Sequence, residues 1–384
     1  MGRPARMGTL SSLRQANVSQ VLSVLQRFGG MTQIELADAA GLSTATISNI
    51  VKELIAKNVV ETKSVSRNGR HALYVTLASK GGIAAGVSIG RLDLHIELGD
   101  STGRVLSDKS MPLSAHHQPD TTIIRALEML KEMMEFIGAE LNDLKQLTVA
   151  LPFPLSTSSK VEVPQILAGW SGDEIRSRFE QGTGVVPVIE NNANLACVAQ
   201  MKALGMDKTD ALYVHADYEI GGALFLNGNI YKGCFGLAGE IGHIQVDSNG
   251  TVCFCGRRGC LNTVASATHL ASLLRPARGE ISLRDIVDDA RNGDLVCVRL
   301  IEDVAASVAS AIEPIVTALD CGTIVVGGRM TRIGDGFLIA FGQRLNKIMF
   351  PVGAERSILL GPCGDEAVAH GAMLDAARRV ITED

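Results

Sequence analysis

One stretch of the chain reads Gly239-Glu-Ile-Gly-His243, then nine further residues, then Cys253-Phe-Cys255-Gly-Arg-Arg-Gly-Cys260-Leu-Asn262. Its histidine and three cysteines offer four nitrogen and sulfur donors, a set that tetrahedral Zn²⁺ commonly takes. Gly256 and Gly259 allow the turn that brings the third cysteine back toward the first two. The spacing predicts a closed, structural zinc site whose ligands are His243, Cys253, Cys255 and Cys260. The alternatives are a catalytic zinc and three reduced thiols packed as small hydrophobic side chains.

Length and composition place this cluster in a multidomain α/β protein. A chain of 384 residues is long enough for two or three domains, and its 46% hydrophobic content with 40 glycines and 4% aromatics favours a glycine-turn-rich α/β fold. No apolar run reaches the roughly 18 residues of a membrane span, and the N-terminus lacks a signal-peptide layout. The eight cysteines, three of them in the cluster, indicate a reducing cytoplasm rather than a disulfide framework.

Formal charge is divided unevenly along the chain. Residues 1–80 contain ten Lys/Arg against four Asp/Glu, whereas the rest of the chain contains 26 against 37. A basic head on an acidic body indicates that only the head meets a polyanion.

The basic head has the pattern of a helix-turn-helix. Residues 1–16 are predicted to be an arm, and the first helix is predicted from Asn17, with an apolar face made of Val18, Val21, Leu22, Leu25 and Phe28. Thr32 and Glu35 form a capping box for a second helix, which Gly41 ends. Ser43 caps a third helix whose predicted buried stripe is Ile47, Ile50, Val51, Leu54 and Ile55. The glycine turn before it predicts that this third helix enters the major groove of DNA.

A predicted hairpin of residues 59–63 and 71–77, with an Asn68-Gly69 turn, adds a wing to the head. Small polar side chains on the third helix can reach base edges, and basic side chains there and on the wing can reach phosphates. The predicted DNA contacts are Ser43, Thr44, Thr46, Ser48, Asn49, Lys52, Arg67 and Arg70. The alternative is a helical bundle that binds protein.

From Ile83 onward, strand and helix patterns alternate in two lobes hinged near residue 190. One predicted helix, 121–140, has Ile123, Ile124, Leu127, Leu130 and Met134 on its buried face. The predicted domains are a winged helix-turn-helix at 1–80, a small α/β lobe at 81–190 against which a C-terminal helix (366–384) packs, and a large α/β lobe at 191–365 that carries the zinc site and an oligomerisation surface.

Over nearly its whole length the chain resembles the ROK family of repressors and sugar kinases. The strongest match is the cluster described first. Weaker matches are Leu167-Ala-Gly169-Trp170, the segment 190–194, Ile220-Gly221 before Asn227-Gly228, and Val326-Gly327-Gly328. The resemblance implies a two-lobed, actin-like ATPase fold for the body. For the head it implies the winged helix-turn-helix of the family's xylose- and N-acetylglucosamine-responsive repressors.

Departures from the family's kinase motifs argue against phosphoryl transfer. Where family kinases have the phosphate loops Asp-x-Gly-Gly-Thr and Gly-Thr-Gly-Ile-Gly, this chain has Ser88-Ile-Gly-Arg-Leu92 and Asp217-Tyr-Glu-Ile-Gly221. Two acids in the second loop would repel phosphate, and the small-lobe Pro-Gly is Pro152-Phe153. The catalytic aspartate is replaced by Asn192, whose carboxamide cannot take a proton from a sugar hydroxyl. No catalytic residue is predicted.

The resemblance also implies a sugar site. Asn191, Glu240 and His243 match residues that bind sugar hydroxyls in the family, with the second nitrogen of His243 left for zinc. Asn192 and Asn262 replace acidic residues, although their amides still donate and accept hydrogen bonds. The predicted ligand contacts are therefore Asn191, Asn192, Glu240, His243 and Asn262. Capping of the next helix is the alternative role of Asn191, Asn192 and Asn194, and a sugar phosphate, an acetamido sugar, an oxidised sugar and a decaying pocket all stay open.

The sequence thus predicts a cytoplasmic, zinc-containing transcriptional regulator, usually a repressor, of carbohydrate-related genes. It is predicted to bind an inverted-repeat operator in double-stranded DNA as a homodimer or homotetramer, to respond to a sugar or sugar derivative, and to lack kinase activity. The alternatives are a bifunctional sugar kinase and a DNA-binding regulator that responds to no effector.

Overall fold

A computed structural model describes residues 10–28, 30–56, 59–67, 70–77, 82–156, 169–350 and 356–382. The chain forms an N-terminal unit with a three-stranded sheet and a body with two five-stranded sheets. This arrangement confirms the predicted α/β class. In the ranges just given, no helix is long and apolar enough to cross a membrane.

The N-terminal unit is a winged helix-turn-helix with a strand order of β1-β3-β2. Leu25, Leu36 and Ile47, one from each helix, are fully buried in its core. Each such side chain stabilises the fold by about 1.5–3 kcal/mol. The elements of this unit are α1 (Leu10–Phe28), β1 (Met31–Thr32), α2 (Gln33–Ala40), α3 (Thr44–Ala56), β2 (Val60–Arg67) and β3 (Arg70–Leu77).

The helix caps of this unit were predicted correctly, but the ends of its helices were not. The capping box of Thr32 and Glu35 is present, and Gly41 ends α2 in the left-handed conformation, with φ of 60°. The predicted arm is wrong from residue 10 onward, because α1 already begins at Leu10. Phe28 and Ile55 were predicted to be buried but are 60% and 40% exposed, since each lies in the last turn of its helix.

The first body sheet has the order β6-β5-β4-β7-β8, and β7 lies parallel to both of its neighbours. All seven residues of the central strand β4 are buried, because helices cover both faces of the sheet: the helix Pro119–Phe136 packs on one face and the C-terminal helix Ala367–Thr382 on the other. Ile124, predicted to be buried, is 52% exposed, since α4 packs through Ile123 and Leu130. The elements are β4 (Ile83–Ile89), β5 (Asp93–Asp100), β6 (Val105–Pro112), α4 (Pro119–Phe136), β7 (Leu144–Leu151), α5 (Gly172–Thr183) and β8 (Val188–Asn191).

The second body sheet has the order β11-β10-β9-β12-β13, with β12 parallel to β9 and β13. The last helix of the chain, α12, leaves this lobe and packs on β4, β5, β7 and α6. The elements are α6 (Asn192–Ala203), β9 (Ala211–Ala216), β10 (Ile220–Leu226), β11 (Asn229–Tyr231), α7 (Asn262–Ala265), α8 (Ala267–Arg278), α9 (Leu283–Arg291), α10 (Leu295–Leu319), β12 (Thr323–Gly327), α11 (Asp335–Ile348), β13 (Ser357–Leu360) and α12 (Ala367–Thr382).

Candidate functional site

A cavity of about 1090 Å³ is lined by residues of both body sheets. Several strands point their carboxyl ends at it: Gly90 follows β4, Asn191 ends β8, Asp217 follows β9 and Gly328 follows β12. In α/β proteins, ligands bind at this edge of the sheet. The volume suits a small-molecule ligand.

The four predicted metal ligands converge beside this cavity. Their ligand atoms, on His243, Cys253, Cys255 and Cys260, all lie within 4.8 Å of one another. Nδ1 of His243 is 3.6 Å from Sγ of Cys253, and Sγ of Cys255 is 3.6 Å from Sγ of Cys260. A tetrahedral zinc with the usual Zn–N and Zn–S bonds has edges of about 3.6 Å for N···S and about 3.8 Å for S···S. The cluster can therefore hold a metal ion.

Short backbone hydrogen bonds fold the cysteine loop. The N–H of Cys253 donates to the carbonyl of Arg257 at 2.7 Å, and the N–H of Gly256 donates to the carbonyl of Cys253 at 2.9 Å. Gly259 has φ of +60°, and a Cβ at this residue would lie 1.5 Å from the carbonyl oxygen of Asp247. Only glycine fits there, so the glycine-rich spacing of the motif is a requirement of the turn.

The metal cluster and the cavity share a wall. His243 turns Nδ1 toward the thiol of Cys253 and also lines the cavity. Burial and the nearby Arg257 hold the pKa of His243 below its ordinary value, which favours the neutral imidazole that metals bind. Phe254 also lines the cavity, and its ring packs edge-on against His243 with centroids 5.1 Å apart.

The structure brings all five predicted ligand contacts to this one cavity, namely Asn191, Asn192, Glu240, His243 and Asn262. Asn191 also has the alternative capping role, because its Oδ1 accepts from the N–H of Ala193 at 2.8 Å. The amide of Asn262 is occupied as well, since its Oδ1 accepts from the N–H of Ile220 at 2.7 Å. Their contact with a ligand stays a prediction.

Glu240 is the one ionisable group among these five that lies outside the metal cluster. Among the described residues its carboxylate has no hydrogen-bond partner, although it is partly buried and lines the cavity. Burial raises the pKa of Glu240 to about 7. A buried acceptor without a partner is costly, so this carboxylate is suited to a ligand that donates hydrogen bonds.

Ion pairs lie at the two segments, 88–92 and 217–221, that the family resemblance predicts to correspond to kinase phosphate loops. Nη1 of Arg329 donates to Asp217 at 2.8 Å, and its other terminal nitrogen bonds to Asp93 on β5. Arg91 bonds to Glu219. Burial acts to raise the pKa of Asp217, but Arg329 and His215 outweigh it and leave this pKa below its ordinary value. The Arg329–Asp93 and Arg91–Glu219 pairs connect the first sheet to the second, whereas Arg329 and Asp217 both follow strands of the second sheet.

Sequence reasoning did not single out Arg329. The sequence feature that could have pointed to Arg329 is its position directly after the Gly327-Gly328 pair, which ends a buried strand. Its partners lie 112 and 236 residues away along the chain. Such long separations give no local pattern, so only the fold reveals the contact.

The predicted DNA contacts lie at the N-terminal cap of α3, along α3 and on the wing. Ser43 caps α3, because its Oγ accepts from the N–H of Thr46 at 3.1 Å, and the hydroxyl of Thr46 is hydrogen-bonded to that of Ser43. Thr44, Asn49 and Lys52 are exposed on α3, and Ser48 is half-buried. On the wing, the backbones of Arg67 and Arg70 pair at the end of the β2–β3 hairpin. The side chains of these two arginines and the Asn68-Gly69 turn lie outside the described residues.

Sequence profiles of two families match the chain. The profile of the ROK family matches residues 84–378, and that of the MarR family matches residues 15–71. One similar protein is the "Putative xylose repressor" of Caldicellulosiruptor sp. (strain Rt8B.4), 23% identical over 361 residues, covering 90% of this chain and 90% of that protein. Another is the "DNA-binding transcriptional dual regulator NagC" of Escherichia coli (strain K12), 26% identical over 361 residues, covering 90% and 88%.

Two solved structures share the fold. The first is a ROK family transcriptional regulator, described as a homologue of the E. coli MLC protein, with a TM-score of 0.79, 22% identity and 97% coverage of each chain. The second is a ROK family glucokinase from Streptomyces griseus, in complex with glucose and AMPPNP, with a TM-score of 0.66 and 22% identity. It covers 77% of this chain and 99% of the glucokinase. The predicted winged head and two-lobed kinase-like body are thereby confirmed.

Proposed function

This chain belongs to the ROK family, and from this premise we propose that it is a sequence-specific DNA-binding regulator, a repressor of carbohydrate-related genes. The observation that carries the proposal is the joining of a winged helix-turn-helix to a ROK body in one chain. The two relatives named above support it, since one is called a repressor and the other a DNA-binding transcriptional regulator.

The DNA-binding surface is the polar face of α3 together with the wing. Thr44, Asn49 and Lys52 project from the helix that, in this motif, enters the major groove. The amide of Asn49 can pair with an adenine edge, and Lys52 can reach a phosphate. The excess of basic residues in the head supports this assignment over a protein-binding bundle.

In this proposal the protein has no kinase activity. Asn192 stands at the start of α6 in place of the general base, and its amide has no basic site for a hydroxyl proton. The carboxylates of Asp217 and Glu219 stand where a kinase needs donors for phosphate oxygens. The second candidate function, a bifunctional sugar kinase, is favoured only by the likeness to the glucokinase. A coupled ATPase assay with hexoses separates the two: we expect no turnover, and a turnover of about 1–100 s⁻¹ would establish the kinase.

The metal in this proposal is a structural Zn²⁺ held by His243, Cys253, Cys255 and Cys260. Three thiols and an imidazole with matching separations are the donor set of closed zinc sites. When bound, the ion would fix the loop and hold Glu240 and His243 on the cavity wall. Four protein donors would fill a tetrahedral ion and leave no coordination position for water or substrate.

A sugar in the cavity regulates DNA binding. Its contacts would come from the first lobe, at Asn191, and from the second, at Glu240 and His243. A ligand that prefers one arrangement of the lobes shifts the protein toward that arrangement. We further propose a homodimer or homotetramer, because two heads are needed to read an inverted repeat. If the regulator responds to no effector, no sugar or sugar derivative will raise its melting temperature in a thermal-shift screen.

The proposed function is tested by selecting binding sites from random double-stranded DNA. We expect one preferred inverted repeat whose half-sites are separated by about one helical turn or a multiple of it. Multi-angle light scattering of the complex would then give its oligomeric state. Recovery of unrelated sequences after repeated rounds would contradict sequence-specific binding.

A further inference from the structure

The charged groups around the cavity are unequal in number. Among the described residues, eight carboxylates and three arginines line it, an excess of five formal negative charges. A cavity with this composition repels anions and favours neutral or cationic ligands.

Arg329 is the most buried of the three arginines, with 16% of its side chain exposed, and carboxylates surround it. Nη1 bonds to Asp217 at 2.8 Å, Nη2 bonds to Asp93, and Nε lies 4.0 Å from Asp365. The guanidinium also lies 5.0 Å from the ring centre of Tyr218. An incoming phosphate would have to displace carboxylates that the fold already holds in place.

Of the other two arginines, one is neutralised by a carboxylate, whereas Arg284 is exposed and has no bonded carboxylate among the described residues. Arg91 is bonded to Glu219, and both side chains are less than one third exposed. Arg284 lies on the exposed side of α9, where water and salt screen its charge. The two partly buried arginines, Arg329 and Arg91, are therefore already neutralised by carboxylates of the protein itself.

Where the sugar hydroxyls are expected to bind, the cavity side chains need hydrogen-bonding partners rather than an anion. Glu240 requires donors, and the amide of Asn192, which lines the same cavity, can both donate and accept. The imidazole of His243 offers one further ring nitrogen. Hydroxyl groups satisfy all three side chains, whereas a carboxylate or phosphate on the ligand would face Glu240 without a counter-charge.

We infer that the ligand of this cavity is a sugar without negative charge, and that phosphorylated and oxidised sugars are excluded by the bonded pairs Arg329–Asp93–Asp217 and Arg91–Glu219. This inference rests on the proposed sugar-responsive function and names the chemical class of its effector. It removes the sugar phosphate and the oxidised sugar from the possibilities that the sequence left open.

The test is isothermal titration calorimetry of the full-length protein with matched pairs of ligands. The probes are D-glucose, N-acetyl-D-glucosamine, D-mannose and D-fructose, each beside its 6-phosphate, together with D-xylose and D-glucuronate. We expect at least one neutral sugar to bind at least about tenfold more tightly than its charged counterpart. A 6-phosphate or D-glucuronate that binds as tightly as the neutral sugar would overturn the inference and leave the proposed function intact. If no probe binds, both the inference and the sugar-responsive part of the proposed function fail.

A double variant tests the cause of the exclusion. Asp93→Asn with Glu219→Gln leaves both arginines in place but removes one bonded acid from each, so we expect the 6-phosphate to gain at least about tenfold in affinity. Asp108→Asn is the matched control, because Asp108 lines the cavity but pairs with His95 at 2.5 Å instead of with an arginine. Retained binding of the neutral sugar verifies the fold of each variant. No gain in the double variant, or an equal gain in the control, would show that the arginine pairs do not cause the exclusion.

Discussion

The amide of Asn262 joins the cysteine loop to the start of β10. Its Oδ1 accepts a 2.7 Å hydrogen bond from the N–H of Ile220, and its Nδ2 lies 3.5 Å from the carbonyl of the same residue. Asn262 follows the last proposed zinc ligand by two residues, and the residues on both sides of Ile220 line the cavity. One buried side chain thus links the proposed metal site to the loop between β9 and β10.

Replacing Asn262 with Ala should weaken this link. The buried N–H of Ile220 would lose its partner, so the free energy of unfolding should fall by about 1–3 kcal/mol. Urea unfolding measures the loss. Asn229→Ala is a control, because Asn229 bonds to the backbone of Asn227 in an exposed turn. Equal stability of the Asn262 variant and the wild type would mean that the contact contributes nothing.

Cys255→Ser should remove the proposed zinc and the response to sugar together. A serine hydroxyl replaces one of the thiolates that the ion needs, and the loop positions Glu240 and His243 on the cavity wall. Metal analysis by mass spectrometry and DNA binding with and without sugar are the two measurements. Cys234→Ser, which changes an exposed cysteine outside the cluster, should alter neither. An intact sugar response in zinc-free protein would separate the two sites.

Two substitutions on α3 should affect DNA binding in different ways. Lys52→Ala should weaken binding to all sequences and reduce the salt slope by about one unit, because one phosphate contact is lost. Asn49→Ala should cost about 1–3 kcal/mol at one base pair and relax specificity there. Lys131→Ala, on an exposed face of α4 in the body, is the charge-matched control. If Lys52 and Lys131 behave alike, α3 does not lie against the DNA.

The pair of Arg329 and Asp217 should give stability a characteristic pH dependence. Because Arg329 and His215 lower the pKa of Asp217 below the ordinary 3.8, its contribution is present above that pH and is lost as the pH falls through the lower folded value. Asp93, whose own pKa burial raises, also faces Arg329. Arg329→Met leaves Asp217 buried without its cation, so we expect a loss of about 3–5 kcal/mol near pH 7.

In the Arg329→Met variant the shift in the pKa of Asp217 changes direction. Burial then raises the pKa of Asp217, so the deficit in stability should shrink as the pH is lowered from about 7 toward 5. Adding Asp217→Asn should recover most of the loss at neutral pH, because no unpaired charge remains buried. Urea unfolding at several pH values measures both effects. A deficit that is constant with pH would contradict this account of the pair.

The sequence predicted the parts of the fold that have local signals. The capping box of Thr32 and Glu35 and the left-handed Gly41 each depend on neighbouring residues. The cysteine loop was predictable for the same reason, since its donors lie within 18 positions of chain. The helices α5, α8, α9 and α11 were missed, although α9 has a local signal of its own in the capping box of Ser282 and Asp285.

The cavity could be predicted only in part. The sequence motifs identified residues at the strand ends, but they did not show which charged side chains pair across the cavity. Arg329 reaches Asp93 over 236 residues, and the amide of Asn262 turns to a backbone N–H 42 residues away. Contacts of this kind follow from the packing of the two sheets. They decide which ligand charge the cavity tolerates, and no sequence motif records them.

The most direct test of the central claim is fluorescence anisotropy with the selected inverted-repeat duplex, in the presence and absence of the neutral sugar that binds most tightly. The account predicts a Kd of about 10⁻⁸–10⁻¹¹ M for the selected duplex, at least about 10³-fold tighter than for a random duplex. The sugar should change that Kd by at least about fivefold. Equal affinity for both duplexes, or a Kd that saturating sugar leaves unchanged, would contradict a sugar-responsive DNA-binding regulator.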